Sequence, residues 1–272
     1  DQVSMPEAAF TTLGAIAMQG VRQADLKLGE NCVVIGLGLL GQITSQLLRA
    51  SGVTVTGIDI DQRQVDQALK YSCDHTFNRN NVIIQFAPGG PVEQAIAQLT
   101  DGHGTDAVII TAATTSTDPI DLAGSLCRKK GKVIIVGAVP TGFQRKNFYN
   151  KELDLRMSCS YGPGRYDSEY EEQGIDYPFA YVRWTENRNM QAFADLMAAG
   201  RINIRPLVTH TFPFQDAKKA YDLILARTEP FAGIVLEYDL KKTLQSRVTL
   251  NTGITAASDA KVGMIGAGSF GQ

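Results

Sequence analysis

The sequence has little of several things, and each scarcity narrows what the protein does. It holds four cysteines in 272 residues. Cys32, Cys73, Cys127 and Cys159 are widely spaced, with no C-x-x-C pair among them. They read as reduced, small apolar filler, Cys32 and Cys159 in buried strands and Cys73 and Cys127 at helix ends. There are three histidines. His75, His103 and His210 pair with no Cys or Glu at ligand spacing, so each is expected on the surface or at a strand edge. Neither sign of charge dominates: the net charge is -2. Nucleic acid and an anionic membrane are therefore not the expected partners. No apolar run reaches the length of a membrane span. Together with the thiols and the lack of a leader pattern, this gives the cytoplasm as the expected compartment. What remains, 44% hydrophobic and 20% charged, is the composition of an ordinary globular protein, one large or two small domains.

The informative stretch is Cys32–Gly41, CVVIGLGLLG. An apolar β-branched run enters a Gly36-x-Gly38-x-x-Gly41 turn, and Leu40, Ile43, Leu47 and Leu48 follow at helical spacing. Strand, glycine turn and helix together form the dinucleotide-binding fingerprint. Gly36 permits the tight turn, Gly38 lets backbone approach a pyrophosphate, and Gly41 lets the helix sit close on the strand. The helix N-terminus at Leu39 and Leu40 then offers free N–H groups and a positive dipole end to phosphates. A second strand, Val53–Ile58, ends at Asp59, about 20 residues on, where a carboxylate meets the ribose 2′-OH of NAD and repels the 2′-phosphate of NADP. The competing reading makes Asp59 a helix cap; for Asp61, just before Gln62–Leu69, the cap is preferred. Arg63 is close enough in sequence to serve a 2′-phosphate.

Strand and helix patterns alternate along the chain. Met5–Arg22 reads as a helix, Gln62–Tyr71 as another, and His75–Phe77 as a short strand. Val92, Ala95, Ile96 and Leu99 mark a helix. Asp106–Thr111 is a fourth strand. Asp118-Pro119 reads as an N-cap with Pro at the first helical position of a helix running to about Arg128. Lys132–Val136 and Leu155–Ser158 are strands five and six. The expected fold class is α/β, a doubly wound parallel six-stranded sheet with extra C-terminal strands and helices. Ligands of such sheets sit beyond the carboxyl ends of the strands. That gathers Gly36, Gly38, Leu39, Leu40, Gly41, Asp59, Arg63, Thr111, Gly137 and Ala138 as candidate cofactor-binding residues. Farther on, the Met190, Phe193, Ala194 and Met197 stripe reads as core. Leu207–Phe212, Gln215–Ala226 and Gly233–Tyr238 read as strand, helix and strand, and 241–260 as a linker.

From about Met5 to Tyr238 these residues resemble the medium-chain dehydrogenase/reductase family, the fold of zinc alcohol dehydrogenases. The resemblance rests on PEAAF–AMQGVR, LGENCVVIGLGLLG, GIDID, KGKVIIVG and RPLVTHTFPFQDAKKAYDLI. It implies a nicotinamide cofactor, NAD before NADP, hydride transfer to or from a small molecule, and a homodimer. In that family the zinc ligands and proton-relay hydroxyl come mostly from an N-terminal GroES-like domain. The expected layout is therefore a lead-in helix from that domain (1–28), a Rossmann domain (29–160), a loop plus C-terminal elements (161–240), a linker (241–260) and a further unit (261–272). No metal ligand is assigned, no zinc is expected in this chain, and catalytic residues stay unassigned. KVGMIGAGSFGQ, 261–272, with Gly266, Gly268 and Gly271, resembles the first strand and turn of a glucose-fructose oxidoreductase/inositol dehydrogenase-type domain. That tandem order is similar to bacterial two-domain oxidoreductases.

Tyr161–Met190 is aromatic and charged, without helical or strand period. Arg165 and Arg183 suit an anionic group and Tyr166 and Trp184 a stacked ring, so these four are the candidate substrate residues. The equal alternative is a self-packed loop or interface. Two functions follow from the whole. One is the NAD-binding part of an oxidoreductase acting on an alcohol or carbonyl, sugar-like substrate. The other is a noncatalytic NAD-binding or structural module presenting a surface to adjoining domains of a larger protein.

Overall fold

The computed structural model describes residues 2–80, 91–241 and 243. Asp1–Glu237 is one compact unit. Of a second, Tyr238–Gln272, only 238–241 and 243 are described, so the 261–272 glycine turn lies outside the described residues.

The strands of the main sheet are β1 (Asn31–Ile35), β2 (Thr54–Asp59), β3 (His75–Asn78), β4 (Thr105–Ile110), β5 (Cys127–Ile135) and β6 (Asp154–Met157). All pair in parallel, in the order β3-β2-β1-β4-β5-β6. The helices are α1 (Met5–Ala8), α2 (Thr11–Ala24), α3 (Leu39–Ala50), α4 (Gln62–Tyr71), α5 (Pro91–Leu99), α6 (Asp118–Leu126), α7 (Arg145–Lys151), α8 (Ser168–Glu171), α9 (Glu186–Ala198) and α10 (Ala217–Ala226). Two further strands, β7 (Val208–Pro213) and β8 (Gly233–Glu237), form a separate parallel pair.

Side chains alternate across a strand, so one continuous apolar run feeds two cores. Val33, Ile35, Val108, Ile110, Val133 and Ile135 bury one face against Val92 and Ile96 of α5 and Ile120 of α6. Cys32, Val34, Val55, Ile109 and Ile134 bury the other against Ala24 of α2, Leu48 of α3 and Val65 of α4. A third core joins Met18, Ile43, Phe193, Met197 and Leu207, which fixes α9 and the C-terminal pair onto α2 and α3. Among the described residues no helix is long and apolar enough to cross a membrane.

The structure differs from the sequence reading at several points. The helix expected over Met5–Arg22 is two, α1 and α2. The break falls at Phe10, which leaves helical geometry to bury its ring in the third core. Thr117, not Asp118, is the N-cap of α6. The fifth strand begins at Cys127: Cys127 pairs with Thr105, and the ladder resumes at Lys132 opposite Ala107 after an irregular step. Helix α7 gave no periodic signal because it is seven residues long and buries only Phe148. Cys159 was expected in a buried strand, but β6 ends at Met157 and Cys159 is exposed. Lys151 Nζ donates to the carbonyls of Gly124, Ser125 and Cys127 at 3.1, 2.7 and 2.7 Å, closing the end of α6.

Candidate functional site

Strands β1, β2 and β4 end side by side, and the turns leaving them surround one cavity of about 560 Å³. The Gly36–Gly41 turn forms its base. Gly36 has a φ of +97°, and a Cβ there would meet the Ala112 nitrogen at 2.6 Å, so only glycine fits. A Cβ on Gly41 would collide with the Gly36 carbonyl oxygen. The start of α3 therefore lies directly on the turn. Thr111 Oγ1, at the end of β4, donates to that same oxygen at 2.6 Å and straps the turn to the next strand. Gly38 differs from both. It is the N-cap of α3, with φ -62°, and a Cβ there would meet nothing within 4 Å. It opens onto the cavity, beside the first-turn N–H groups of Leu39, Leu40 and Gly41, which have no intrahelical acceptor.

Asp59 closes the other side. Its Oδ2 accepts the Leu37 N–H at 2.6 Å and its Oδ1 the Asp61 N–H at 2.8 Å. The carboxylate is thus oriented by backbone, and the second lone pair of each oxygen remains for a hydroxyl donor. Behind the turn, the buried Gln42 side chain donates to the Leu37 carbonyl at 3.0 Å and meets Gln64 and Gln67 of α4.

The predicted residues separate into groups. Gly36, Gly38, Asp59 and Thr111 line the cavity. Leu39 and Leu40 turn their side chains to the third core. Gly41 packs beneath the turn. Gly137 also lies behind the wall, since a Cβ there would collide with Ala112 and Thr111 backbone. Ala138 takes the Thr114 N–H on its carbonyl at 2.9 Å, and Thr114 lines the cavity. Arg63 is spent on Asp61, at 2.7 Å, and lines an adjoining hollow rather than this one. Asp61 caps α4, accepting the Arg63 N–H at 3.0 Å.

The four candidate substrate residues are absent from this lining. The segment that carries them is largely self-packed. Arg165 pairs with Glu171 and stacks on Tyr166 at 4.2 Å. Tyr177 donates to Asp167 and stacks on Tyr170 at 5.4 Å, and Arg188 pairs with Asp176. Arg183 stacks on Trp184 at 3.8 Å, away from the crevice. From Glu186 onward the segment is α9, begun by the Thr185 hydroxyl on the Arg188 N–H.

Sequence reasoning missed Arg79, Asp118 and Arg227, which also line the cavity. Arg79 follows β3 directly, and the strand-end rule would have found it. Its guanidinium bonds Asp118 at 2.9 Å and reaches Glu93 at 3.5 Å. Those acids, Asp118 first, hold it above the ordinary arginine range. Among the described residues no three His, Cys, Asp or Glu side chains stand where they could hold a metal ion.

Comparison with known proteins gives the family and the fold. Residues 40–175, half of the chain, match the family model described as zinc-binding dehydrogenase. Sorbitol dehydrogenase 1 of Saccharomyces cerevisiae is 26% identical over 227 residues, covering 82% of this chain and 56% of that protein. D-guloside 3-dehydrogenase of Escherichia coli is 28% identical over 212 residues, covering 75% and 53%. The chain thus spans just over half the length of these relatives. Among solved structures, 2R,3R-butanediol dehydrogenase from Bacillus subtilis superposes with a TM-score of 0.67 at 20% identity, over 86% of this chain and 58% of that one. The six-stranded doubly wound fold is common to both.

Proposed function

The chain belongs to the zinc-binding dehydrogenase family, and from that premise we propose that it is the nicotinamide-dinucleotide-binding part of an oxidoreductase. The bound cofactor supplies or accepts the hydride, and the chain's own residues bind and orient it. The reaction proposed for the whole protein interconverts an alcohol and a carbonyl on a sugar-like small molecule. The names of the relatives, a sorbitol and a guloside dehydrogenase, support that substrate class.

One observation carries the reading: Gly38 at the amino end of α3 and the Asp59 carboxylate face the same cavity. A pyrophosphate fits over Gly38, where no side chain intervenes and the helix presents free N–H groups. The adenosine ribose then lies toward Asp59, whose oxygens accept its hydroxyls. A 2′-phosphate would bring negative charge against that carboxylate. NAD is therefore the proposed cofactor and NADP the disfavoured one. Leu39, Leu40 and Gly41 contribute backbone only, and Gly137 and Ala138 shape the wall.

The competing reading is a noncatalytic NAD-binding or structural module that uses the same glycine turn and Asp59. A paired titration with NADH and NADPH tests the first point. Saturable NADH binding, weaker NADPH binding and a change in their ratio in Asp59→Ala are expected. Binding of neither cofactor overturns the proposal. Turnover of a polyol and sugar panel by the full-length protein separates enzyme from module.

A further inference from the structure

A second cavity, of about 490 Å³, lies at the other end of α3. Gly38 starts that helix and Ser51, on the new lining, follows its last residue. Twelve helical residues place the two sites about 18 Å apart along its axis. The floor is apolar, made by Met18 and Val21 of α2, Leu47 of α3 and Leu196 of α9.

The rim carries an unusual charge arrangement. The guanidinium carbon of Arg22 lies 3.4 Å from the Trp184 ring centroid, and that of Arg183 lies 3.8 Å from it. Two guanidinium carbons so close to one centroid must occupy opposite faces, so the indole is held between two cations. Arg22 is partly buried, and its polar partners are neutral. Nε donates to Asn189 Oδ1 at 2.7 Å and Nη2 to Met18 Sδ at 3.1 Å. Burial and then the Arg183 charge push Arg22 down to about 10. Arg201 stands on the same lining. Among the described residues none of these three arginines has a carboxylate within 4.0 Å, whereas Arg49, Arg79, Arg128, Arg188 and Arg205 each have one. Asp195, the acid on the lining, is outside ion-pair reach of all three. The carboxyl ends of α2 and α3 offset the cluster in part, with about half an elementary charge each. A buried cation is normally neutralised by a paired anion; Arg22 is the partly buried member of the three, and among the described residues its hydrogen-bond partners are neutral.

We propose that this cavity binds a small amphipathic carboxylate, its head on the guanidinium groups of Arg22 and Arg201 beside Trp184 and its apolar body over Met18, Val21, Leu47 and Leu196. Guanidinium takes a planar carboxylate through paired N–H···O bonds. A site with an apolar floor and a few convergent polar groups has the character of a small-molecule pocket, and its volume is in range. The indole keeps the guanidinium of Arg22 in place by stacking. The site is separate from the dinucleotide crevice and does not depend on the function proposed for it.

The chain holds a single tryptophan, so its fluorescence reports on this cavity alone. The full chain is titrated with octanoate, with 1-octanol and octylamine as controls of matched length. The expected result is a saturable change with octanoate at a midpoint at least about tenfold below that of octanol, and none with octylamine. Arg201→Gln, on an exposed side chain of the lining, should raise the octanoate midpoint several-fold with an unchanged unfolding temperature. Arg22→Gln should raise it more. Asp59→Ala, which touches the other site, should leave it unchanged. Equal binding of octanol and octanoate would show an apolar groove without anion recognition and overturn the proposal. So would no saturable change, or a midpoint indifferent to Arg201→Gln.

Discussion

The Asp59 carboxylate accepts the backbone N–H of Leu37 at 2.6 Å. The end of β2 thereby holds the middle of the glycine turn that leaves β1. One residue fixes the turn and faces the cavity, so its two roles have to be separated by experiment.

Asp59→Ala is expected to strand the N–H groups of Leu37 and Asp61 and to cost about 1–3 kcal/mol of stability, read from the urea midpoint. Cofactor titration separates the roles. Loosening the turn weakens NADH and NADPH together. Losing the carboxylate weakens NADH and relieves NADPH, so the dissociation constant of NADPH relative to that of NADH falls. An unchanged ratio would remove Asp59 from cofactor choice.

Gly38→Ala and Gly41→Ala make a contrasting pair. A Cβ at Gly38 meets nothing, so the variant should unfold like the wild type while losing NADH affinity by about tenfold or more. A Cβ at Gly41 strikes the Gly36 carbonyl, and overpacking of this kind costs about 1–3 kcal/mol. Thermal unfolding followed by NADH titration checks both. Normal NADH binding by Gly38→Ala would remove the pyrophosphate from this turn.

Lys151→Met should destabilise the chain by about 1–3 kcal/mol, because three carbonyls at the end of α6 lose their donor. The urea midpoint reads this directly, and NADH affinity should be unaffected.

Of the four cysteines, only Cys159 is exposed. A thiol reagent on the native protein should modify Cys159 alone, and peptide mapping identifies the site. Burial pushes the thiol of Cys73 up to about 11 and that of Cys127 up to about 12. In the unfolded chain both titrate near 9.0. The folded state therefore keeps protons that the unfolded state releases, and stability falls as pH rises above about 9. Lys151 runs the other way. Burial lowers its folded-state value below 10.5, so its contribution rises with pH toward 10.5. Denaturant unfolding between pH 8 and 11 should accordingly show an alkaline loss that Cys127→Ala reduces and Lys151→Met steepens.

Much of the fold was legible because it depends on local order. The run Cys32–Ile35, the glycines at 36, 38 and 41, and the acid at 59 state strand, turn, helix and second strand in sequence. Alternating patterns then require a parallel sheet, since only crossover helices join parallel strands over such distances. Elements without a periodic signal, α7 above all, were not legible. Nor was the break at Phe10, which is decided by a distant core.

The sequence by itself determined the glycine turn, the acid after β2 and the family resemblance. Each is a pattern of neighbouring residues, and backbone sterics give it one meaning. Only the tertiary structure decided which side chains meet. It brought Arg79 and Asp118, 39 positions apart, together at the crevice. It turned Arg63 onto Asp61, and it set Trp184 between Arg22 and Arg183 on another face of the molecule. Such meetings depend on packing between elements far apart in the chain, and no local spacing encodes them.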